Sequence, residues 1–161
     1  MKKVVNFISL DRSSKLLLME SYLYLAWARI LKRIPFAKLS SSLGTPMQET
    51  SREPGNTDTL KAISKSINLI SRYTWWESQC LVKAIAAMKM LKKRKVDCTL
   101  YLGTAKDEDG TMIAHAWVRS GTYYVTGKEG MERFTVVGKF AKTTGGMQHA
   151  KGNAIKSGER S

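Results

Sequence analysis

Cys80 and His115 are the two residues of this chain that could perform nucleophilic chemistry as a pair. A thiol near the N-terminus of a helix is favoured as the thiolate, because exposed N–H groups and the helix dipole stabilise its charge. Cys80 follows Ser78, a residue type that caps helices, and a helical apolar pattern begins there. An imidazole on a strand packed against that helix could accept the thiol proton and later donate it to a leaving amine. The pair therefore predicts acyl-transfer chemistry.

His115 lies between two alanines, which leave room beside its imidazole. Strand alternation puts His115 and Trp117 on one face, so both could line one groove. Structural roles compete with this hypothesis, since a lone Cys in an apolar pattern is commonly a small core residue. We expect that role for Cys98, which alternates with leucines. For Cys80 and His115, the residues alone leave both the catalytic and the structural interpretation open.

The N-terminal region, residues 13–44, is strongly apolar and predicts a helix that Pro35 ends or kinks. A second short helix is expected over residues 36–43. Glu20 and Arg29 leave only eight uncharged residues between them, whereas a membrane span needs about twenty apolar residues. We therefore expect a helix that is buried in the core, or docked on a partner or a membrane surface, and not a membrane span; membrane association is not the favoured role.

The next region begins with a linker over residues 45–57, which holds Pro and Gly and few large apolar residues. A helix is expected to start at Thr57 or Asp58, because both can cap and isoleucines follow at helical spacing. The helix that carries Cys80 ends in a basic cluster at residues 92–95, which suits the negative end of a helix dipole.

The remaining elements are strands, expected at residues 96–104, 111–120, 122–126 and 134–140. The sequence Asp-Glu-Asp-Gly at residues 107–110 is a turn signal. Short links between the strands favour an antiparallel meander. The predicted organisation is a helical lobe (residues 1–50), a catalytic core (residues 51–141) and a flexible polar tail (residues 142–161).

Composition limits the classes of function. Lys and Arg total 27 and Asp and Glu total 13, a net charge of +14 that is scattered along the chain and indicates mostly solvated faces. The aromatic residues do not interleave with Lys or Arg as a nucleic-acid stacking platform would require. Two cysteines, no metal-ligand spacing and no secretory signal predict a cytoplasmic protein with reduced thiols and no cofactor.

Five segments carry a family resemblance: residues 77–84, 100–103, 114–118, 125–127 and 134–137. This ordered series resembles the stand-alone lasso-peptide leader peptidases, a branch of the transglutaminase-like superfamily. The likeness extends from about residue 16 to residue 140 and includes the apolar N-terminal helix. It implies an α+β fold with a papain/transglutaminase-like core, in which a nucleophile helix packs on a small antiparallel sheet, and an N-terminal helical lobe.

The resemblance also assigns roles to residues. It implies Cys80 as the nucleophile and His115 as the general base, with Gln79 before the nucleophile as in transglutaminases. The Cys80 N–H, with an indole N–H from Trp75 or Trp76, could stabilise an oxyanion. Trp117 would line the substrate groove.

This chain departs from the family pattern at the position expected to orient the imidazole. The superfamily usually places an Asp on the strand after the His, but residues 122–127 contain no acid. Thr126 lies at about the right place, and Glu129 or Glu132 could reach back from the next loop. A backbone carbonyl is a further alternative.

The function implied is hydrolysis at the leader–core junction of a lasso-peptide precursor. The family implies two partners, a small leader-recognition protein and an ATP-dependent lasso cyclase. This chain has no phosphate-binding Gly motif of its own. The rival hypotheses are an acyltransferase of the same fold, which would form an amide, and a basic, non-catalytic nucleic-acid-binding module.

Overall fold

The computed structural model describes residues 11–53, 55–74 and 80–145. Its helices are α1 (Arg12–Leu31), α2 (Phe36–Leu43), α3 (Thr57–Ser71) and α4 (Cys80–Lys93). Its strands are β1 (Thr45–Pro46), β2 (Cys98–Lys106), β3 (Met112–Ser120), β4 (Tyr123–Thr126) and β5 (Thr135–Lys142), with a 3-10 turn at Met131–Arg133. The predicted α+β class is confirmed.

The helix starts follow from side-chain caps. The Asp11 carboxylate accepts a hydrogen bond from the Ser14 N–H at 3.1 Å and begins α1. The Asn56 side chain accepts from the Thr59 N–H at 3.1 Å and begins α3. The expected caps Thr57 and Asp58 are instead the first residues of that helix. Asn56 takes the role because its backbone is still extended, which lets its oxygen reach a free N–H of the first turn.

The sheet is antiparallel and its strand order is β1-β5-β2-β3-β4. The predicted meander is correct for β2, β3 and β4. It is wrong for β5, which crosses back to pair with β2 instead of β4. The strand lengths explain why β5 pairs with β2, because β4 has four residues whereas β2 has nine and β5 has eight. Pairing with β2 therefore satisfies more backbone hydrogen bonds.

The core lies between the helices and one face of the sheet. Leu25 and Ala28 of α1 are fully buried in this core, together with Ile63 of α3 and Val82 of α4. The Ser21 hydroxyl of α1 donates a hydrogen bond to the Ser66 hydroxyl of α3 at 2.8 Å. Each fully buried aliphatic side chain contributes about 1.5–3 kcal/mol. The N-terminal helix therefore completes the core, and none of the described helices has the length and apolarity to span a bilayer.

The predicted linker over residues 45–57 is partly wrong, because Thr45–Pro46 form β1 and pair with β5. The segment over residues 47–53 that follows is anchored to the other face of the sheet. Its anchor is Arg119 of β3, whose side chain is only 1% exposed. The guanidinium donates to the carbonyl oxygen of Thr50 at 3.1 Å and to the Glu49 carboxylate at 3.2 Å. The Thr50 N–H donates to the Thr99 hydroxyl of β2 at 2.9 Å. A buried cation thus fixes a segment that carries little apolar surface.

Candidate active site

Cys80 is the first described residue of α4 and is half-buried against the core. The far end of α4 is marked by Lys92, which lines a small cavity with Lys142 of β5. Lys142 pairs with Cys98, the first residue of β2. The end of α4 therefore lies beside the start of β2.

His115 also lies away from the start of β2. It pairs with Gly103, five residues beyond the start of β2 at Cys98, a rise of about 17 Å. Cys80 lies thirteen residues before the end of α4, a rise of about 20 Å. Each residue therefore lies well away from the α4–β2 connection along its own element.

The two residues approach from different faces of the sheet. Ala116 and Val118 of β3 pack into the core that α4 shares. His115 and Trp117 alternate with them and stack on each other, with ring centroids 5.7 Å apart. Among the described residues no hydrogen bond joins Cys80 to His115. Their action as a catalytic pair is therefore a proposal and not an observed contact.

The residues just before Cys80 also belong to the predicted site. Ser78, the expected cap, Gln79, and the oxyanion candidates Trp75 and Trp76 lie outside the described residues.

The imidazole of His115 is held by one hydrogen bond and two aromatic rings. Its Nε2 lies 2.9 Å from the carbonyl oxygen of Gly127. The ring of Phe134 lies 5.0 Å away between centroids, and Trp117 packs on the imidazole at 5.7 Å. We refer to Trp117, Gly127 and Phe134 as the histidine clamp. It fixes both the plane and the rotation of the ring.

The hydrogen bond also selects a tautomer. A carbonyl oxygen only accepts, so Nε2 must carry the hydrogen that it donates to Gly127. In the neutral ring Nδ1 then has the free lone pair. Nδ1 is therefore the atom of His115 that can take a proton from a thiol.

Glycine is required where the backbone approaches the clamp. Gly127 adopts a φ of +70°, and a Cβ there would collide with the carbonyl oxygen of Ala116. A Cβ at Gly103 would lie 2.8 Å from the Phe134 Cβ and 2.9 Å from the Trp117 ring. Any side chain at either position would push the clamp away from His115.

The candidates for the orienting residue do not contact the imidazole. Thr126 is 3% exposed, and its Oγ1 has no hydrogen-bond partner among the described residues. Such an unsatisfied buried hydroxyl costs about 1–3 kcal/mol. Glu129 and Glu132 are exposed, and no hydrogen bond to His115 is described for either. The backbone carbonyl, an alternative that the sequence left open, makes the observed contact.

Trp117 lies on the same strand face as His115, as alternation predicted. Its own surface, however, is covered by neighbouring residues. It is 5% exposed and stacks on Tyr101 of β2, with centroids 5.7 Å apart and planes 9° apart. The Tyr101 hydroxyl accepts a hydrogen bond from Arg119 Nε at 2.9 Å. Little of Trp117 is left to contact a substrate, so its observed effect is to support the imidazole.

Cys98 has the structural role expected of it. It is fully buried, and burial together with the charge of Asp97 raises the pKa of its thiol to about 12. Both cysteines are free. The described part of the chain contains no group of three or more His, Cys, Asp or Glu side chains that could hold a metal ion.

Taken together, fold and site define an α+β domain with a cysteine in the first described turn of a helix and an oriented histidine on an antiparallel sheet. A family model described as the transglutaminase-like superfamily matches residues 21–139. The chain therefore belongs to the transglutaminase-like superfamily, whose members are generally cysteine peptidases or acyltransferases. No curated protein and no solved structure matches the chain.

Proposed function

We propose that this chain is a cysteine peptidase that removes the leader from a lasso-peptide precursor. Superfamily membership and the ordered motif series support this reaction class. The observation that carries the proposal is the imidazole of His115, which the Gly127 carbonyl and two aromatic rings orient so that Nδ1 remains to accept a proton.

The mechanism assigns one role to each residue. Nδ1 of His115 takes the thiol proton, and the Cys80 thiolate attacks the carbonyl carbon of the leader–core peptide bond. The imidazolium then donates that proton to the departing amine, which leaves the leader as a thioester on Cys80. Water, deprotonated by the same Nδ1, hydrolyses the thioester and restores the free thiol. Catalytic hydrogen bonds commonly tighten only in the substrate complex.

The orienting group in this mechanism is the Gly127 carbonyl. It fixes the tautomer and the ring rotation, as a carboxylate does in related triads. It carries no full charge, so it stabilises the imidazolium less than an Asp would. We therefore expect slow cleavage by the isolated chain and faster cleavage when a partner presents the precursor.

The proposed partners are a small leader-recognition protein and an ATP-dependent lasso cyclase. The docking surface proposed for the recognition protein is the outer face of α1. Leu16, Leu23 and Ile30 are each more than 60% exposed there, while Leu25 and Ala28 on the inner face are fully buried. An exposed apolar stripe on a helix that is also apolar inside is typical of a surface covered by a partner.

Two other functions remain testable. An acyltransferase of the same superfamily would join the acyl group to an amine, whereas hydrolysis adds water to the leader fragment, so product mass separates them. A nucleic-acid-binding role is less supported by the structure. In the basic cluster, Arg94 and Lys93 are paired with Glu20 of α1, at 2.9 Å and 3.6 Å. A gel-shift series in salt tests that role.

The direct test is precursor cleavage by Cys80→Ala and His115→Ala, reconstituted with the recognition protein and followed by mass spectrometry. Both variants should lose cleavage while their circular dichroism and melting temperature stay close to those of the parent. Cys98→Ala is the matched control, because it removes the buried thiol and should keep cleavage. Cleavage by Cys80→Ala at the parental rate would reject the mechanism.

Thiol labelling gives a second reading from the same proteins. At pH 8 the Cys98 thiol is almost entirely protonated, since its pKa is raised to about 12, and it is buried. Iodoacetamide should therefore alkylate one cysteine, Cys80. The loss of cleavage should be proportional to the fraction of Cys80 that is labelled. Inactivation that tracks labelling of Cys98 would contradict the assignment.

A further inference from the structure

A small pocket lined by lysines lies where α1, α2, α4 and β5 meet. Three lysines line it, Lys89 and Lys92 of α4 and Lys142 of β5. Its lining also includes buried apolar side chains, namely Leu39 and Leu43 of α2 and Ile85 and Met88 of α4. The cavity volume is about 20 Å³, which is enough for one group of about the size of a water molecule. We call this feature the lysine pocket.

Two of the three ammonium groups are held in place by the fold. Lys142 Nζ donates a hydrogen bond to the carbonyl oxygen of Ser42 at 2.9 Å. Lys89 Nζ lies 4.5 Å from the centroid of the Trp27 ring, in a cation–π contact. Both lysines are half-buried, whereas Lys92 is exposed. Since two of the charges are positioned before a ligand binds, less side-chain freedom is lost on binding.

No carboxylate neutralises these three charges within the part of the chain that the structure describes. The nearest basic neighbour on α4, Lys93, pairs with Glu20 at 3.6 Å, but Glu20 forms no ion pair with the lysines of the pocket. Burial, followed by the charges of Lys92 and Lys142, lowers the pKa of Lys89. The three cations therefore repel one another, and a carboxylate placed among them would offset that repulsion.

The lysine pocket adjoins the exposed apolar face of α1. Trp27 belongs to both features, because it lines the pocket and is 37% exposed. It lies four residues after Leu23 and three residues before Ile30, so the three side chains share one side of the helix. One partner that covers this face of α1 would therefore also reach the lysine pocket.

Charge separates the possible occupants of the lysine pocket. Two copies of this chain would repel each other, since each has a net charge of +14. The chain ends outside the described residues are also unsuited. Residues 1–10 contain two lysines and no acid, and residues 146–161 contain three Lys or Arg and one Glu. An anionic membrane presents a plane of charge, whereas two of these lysines are half-buried in a recess that a single carboxylate side chain can enter.

We propose that the lysine pocket receives a carboxylate side chain of the protein that covers α1, and that this partner carries the acid beside an apolar row. The carboxylate would pair with Lys89, Lys92 and Lys142, while the apolar row packs on Leu23 and Ile30. This inference rests on the proposed function, because it specifies the chemistry of the partner that docks on α1.

The lysine pocket is separate from the candidate active site. Lys142 pairs with Cys98 at the start of β2, and His115 pairs with Gly103 on the same strand. These two positions are five residues apart, or about 17 Å along β2. A partner seated in the pocket would therefore dock away from the imidazole of His115.

The first test measures binding of a synthetic amphipathic peptide to the full chain by fluorescence anisotropy. The peptide is about 18 residues long, with leucines along one side of its helix and glutamates beside them. Lys89→Gln combined with Lys142→Gln removes two charges from the lysine pocket. We expect this double variant to raise Kd about tenfold, or about threefold for each lysine.

The matched control is Lys61→Gln combined with Lys65→Gln. Both residues are exposed on α3, which contributes no residue to the lysine pocket. This control removes the same net charge and should raise Kd less than about twofold. Equal losses for the two double variants would show that net charge alone binds the peptide, and would overturn the proposal.

Amide signals of the parent chain locate the same peptide without any substitution. Nitrogen-15 NMR spectra recorded during a titration should show shifts at Trp27, Lys89 and Lys142, and none at Lys61 and Lys65. A peptide with glutamines in place of its glutamates should shift the pocket signals only at much higher concentration. Shifts confined to other residues would overturn the proposal even if the double variant fails to fold.

Two further measurements test the other occupants. Vesicles of phosphatidylserine and phosphatidylcholine should bind the parent and the pocket double variant equally, and sedimentation should show the parent as a monomer. Vesicle binding that depends on the pocket lysines, without peptide binding, would replace the protein partner with a membrane. A parental dimer that dissociates in the pocket double variant would replace it with a second copy. Either result would overturn the proposal.

Precursor cleavage separates this inference from the proposed function. A parent that cleaves a lasso precursor but does not bind the acidic peptide would reject the lysine pocket and leave the peptidase function standing. A parent that binds the peptide through the pocket lysines but cleaves no precursor would reject the peptidase function and support the docking site.

Discussion

At the scale of single residues, the orientation of His115 depends on groups without charge. The resemblance to the superfamily led us to expect an acid on the strand after His115, and residues 122–127 contain none. The structure holds the ring through the Gly127 carbonyl and the faces of Phe134 and Trp117. These contacts fix the orientation of the ring. An uncharged carbonyl nevertheless stabilises a charged imidazolium less than a carboxylate would.

The tautomer of His115 is a prediction of this arrangement. Because Nε2–H donates to Gly127, the neutral ring should be the Nε2–H form. Nitrogen-15 NMR of the imidazoles distinguishes the two forms. The chain has two histidines, so His149→Gln leaves one signal to assign.

Control variants make this measurement specific. Thr126→Val should leave the tautomer as it is, since the Thr126 hydroxyl has no described bond to the ring. Phe134→Ala should keep the tautomer but broaden the signal, because one face of the ring loses its contact. A neutral ring protonated on Nδ1 would contradict the proposed direction of proton transfer.

At the scale of elements, the segment over residues 47–53 supports the face of the sheet that carries the clamp. Glu49 is its electrostatic centre. Its carboxylate accepts hydrogen bonds from Lys139 of β5 at 2.9 Å and from the Tyr101 hydroxyl at 2.8 Å, and it pairs with Arg119. Tyr101 in turn supports Trp117, which supports His115. The segment therefore connects indirectly to the imidazole of His115.

Acid stability should depend on Glu49. Lys139, then Tyr101, lowers the pKa of Glu49 from 4.5 to about 2 in the folded chain. A depressed pKa stabilises the fold above about pH 4.5, and this contribution is lost as the pH falls toward 2. Glu49→Gln should therefore cost about 1–2 kcal/mol at pH 7, after allowance for partial exposure. Melting temperatures recorded between pH 7 and pH 2 measure both effects.

The matched control is Glu53→Gln, which neutralises an exposed carboxylate in the same segment. Its melting temperature should follow the parent at every pH. Glu49→Gln should approach the parent only in acid, where the parental carboxylate is protonated too. Equal losses at pH 7 and pH 2 would show that Glu49 acts by packing instead of by charge.

At the scale of the whole molecule, local patterns anticipated most elements but not their long-range arrangement. The short helix over residues 36–43 was predicted from its apolar residues and from Gly44, and α2 has those bounds. The partner of β5 was missed, because strand pairing is decided by contacts between distant segments. The helix that carries Cys80 and the strand that carries His115 were anticipated from apolar spacing and from alternation, while the predicted cap Ser78 lies outside the described residues. The Gly127 carbonyl was not assignable, since a backbone acceptor is present at every residue.

The net charge is a property of the whole chain, and the contacts of the candidate site do not account for it. The excess of 14 positive charges is scattered along the sequence, and part of it is neutralised locally. Glu20 forms salt bridges with two basic residues at the end of α4, and Glu49 forms salt bridges with Arg119 and Lys139. Acidic residues are about half as numerous as basic ones, so the chain keeps a large net positive charge. Such a surface attracts an acidic peptide from a distance.

Cleavage of a precursor with an acidic leader should therefore depend on salt. Surface attraction is screened over about 10 Å at 0.1 M salt and over about 3 Å at 1 M. Raising NaCl across that range should increase KM several-fold through slower association and leave kcat nearly constant, because the chemical step occurs at a few short contacts. A precursor with its acidic leader residues changed to Asn and Gln is the matched control and should show a high KM at every salt concentration. A salt-independent KM for the acidic leader would mean that the positive surface does not take part in substrate capture.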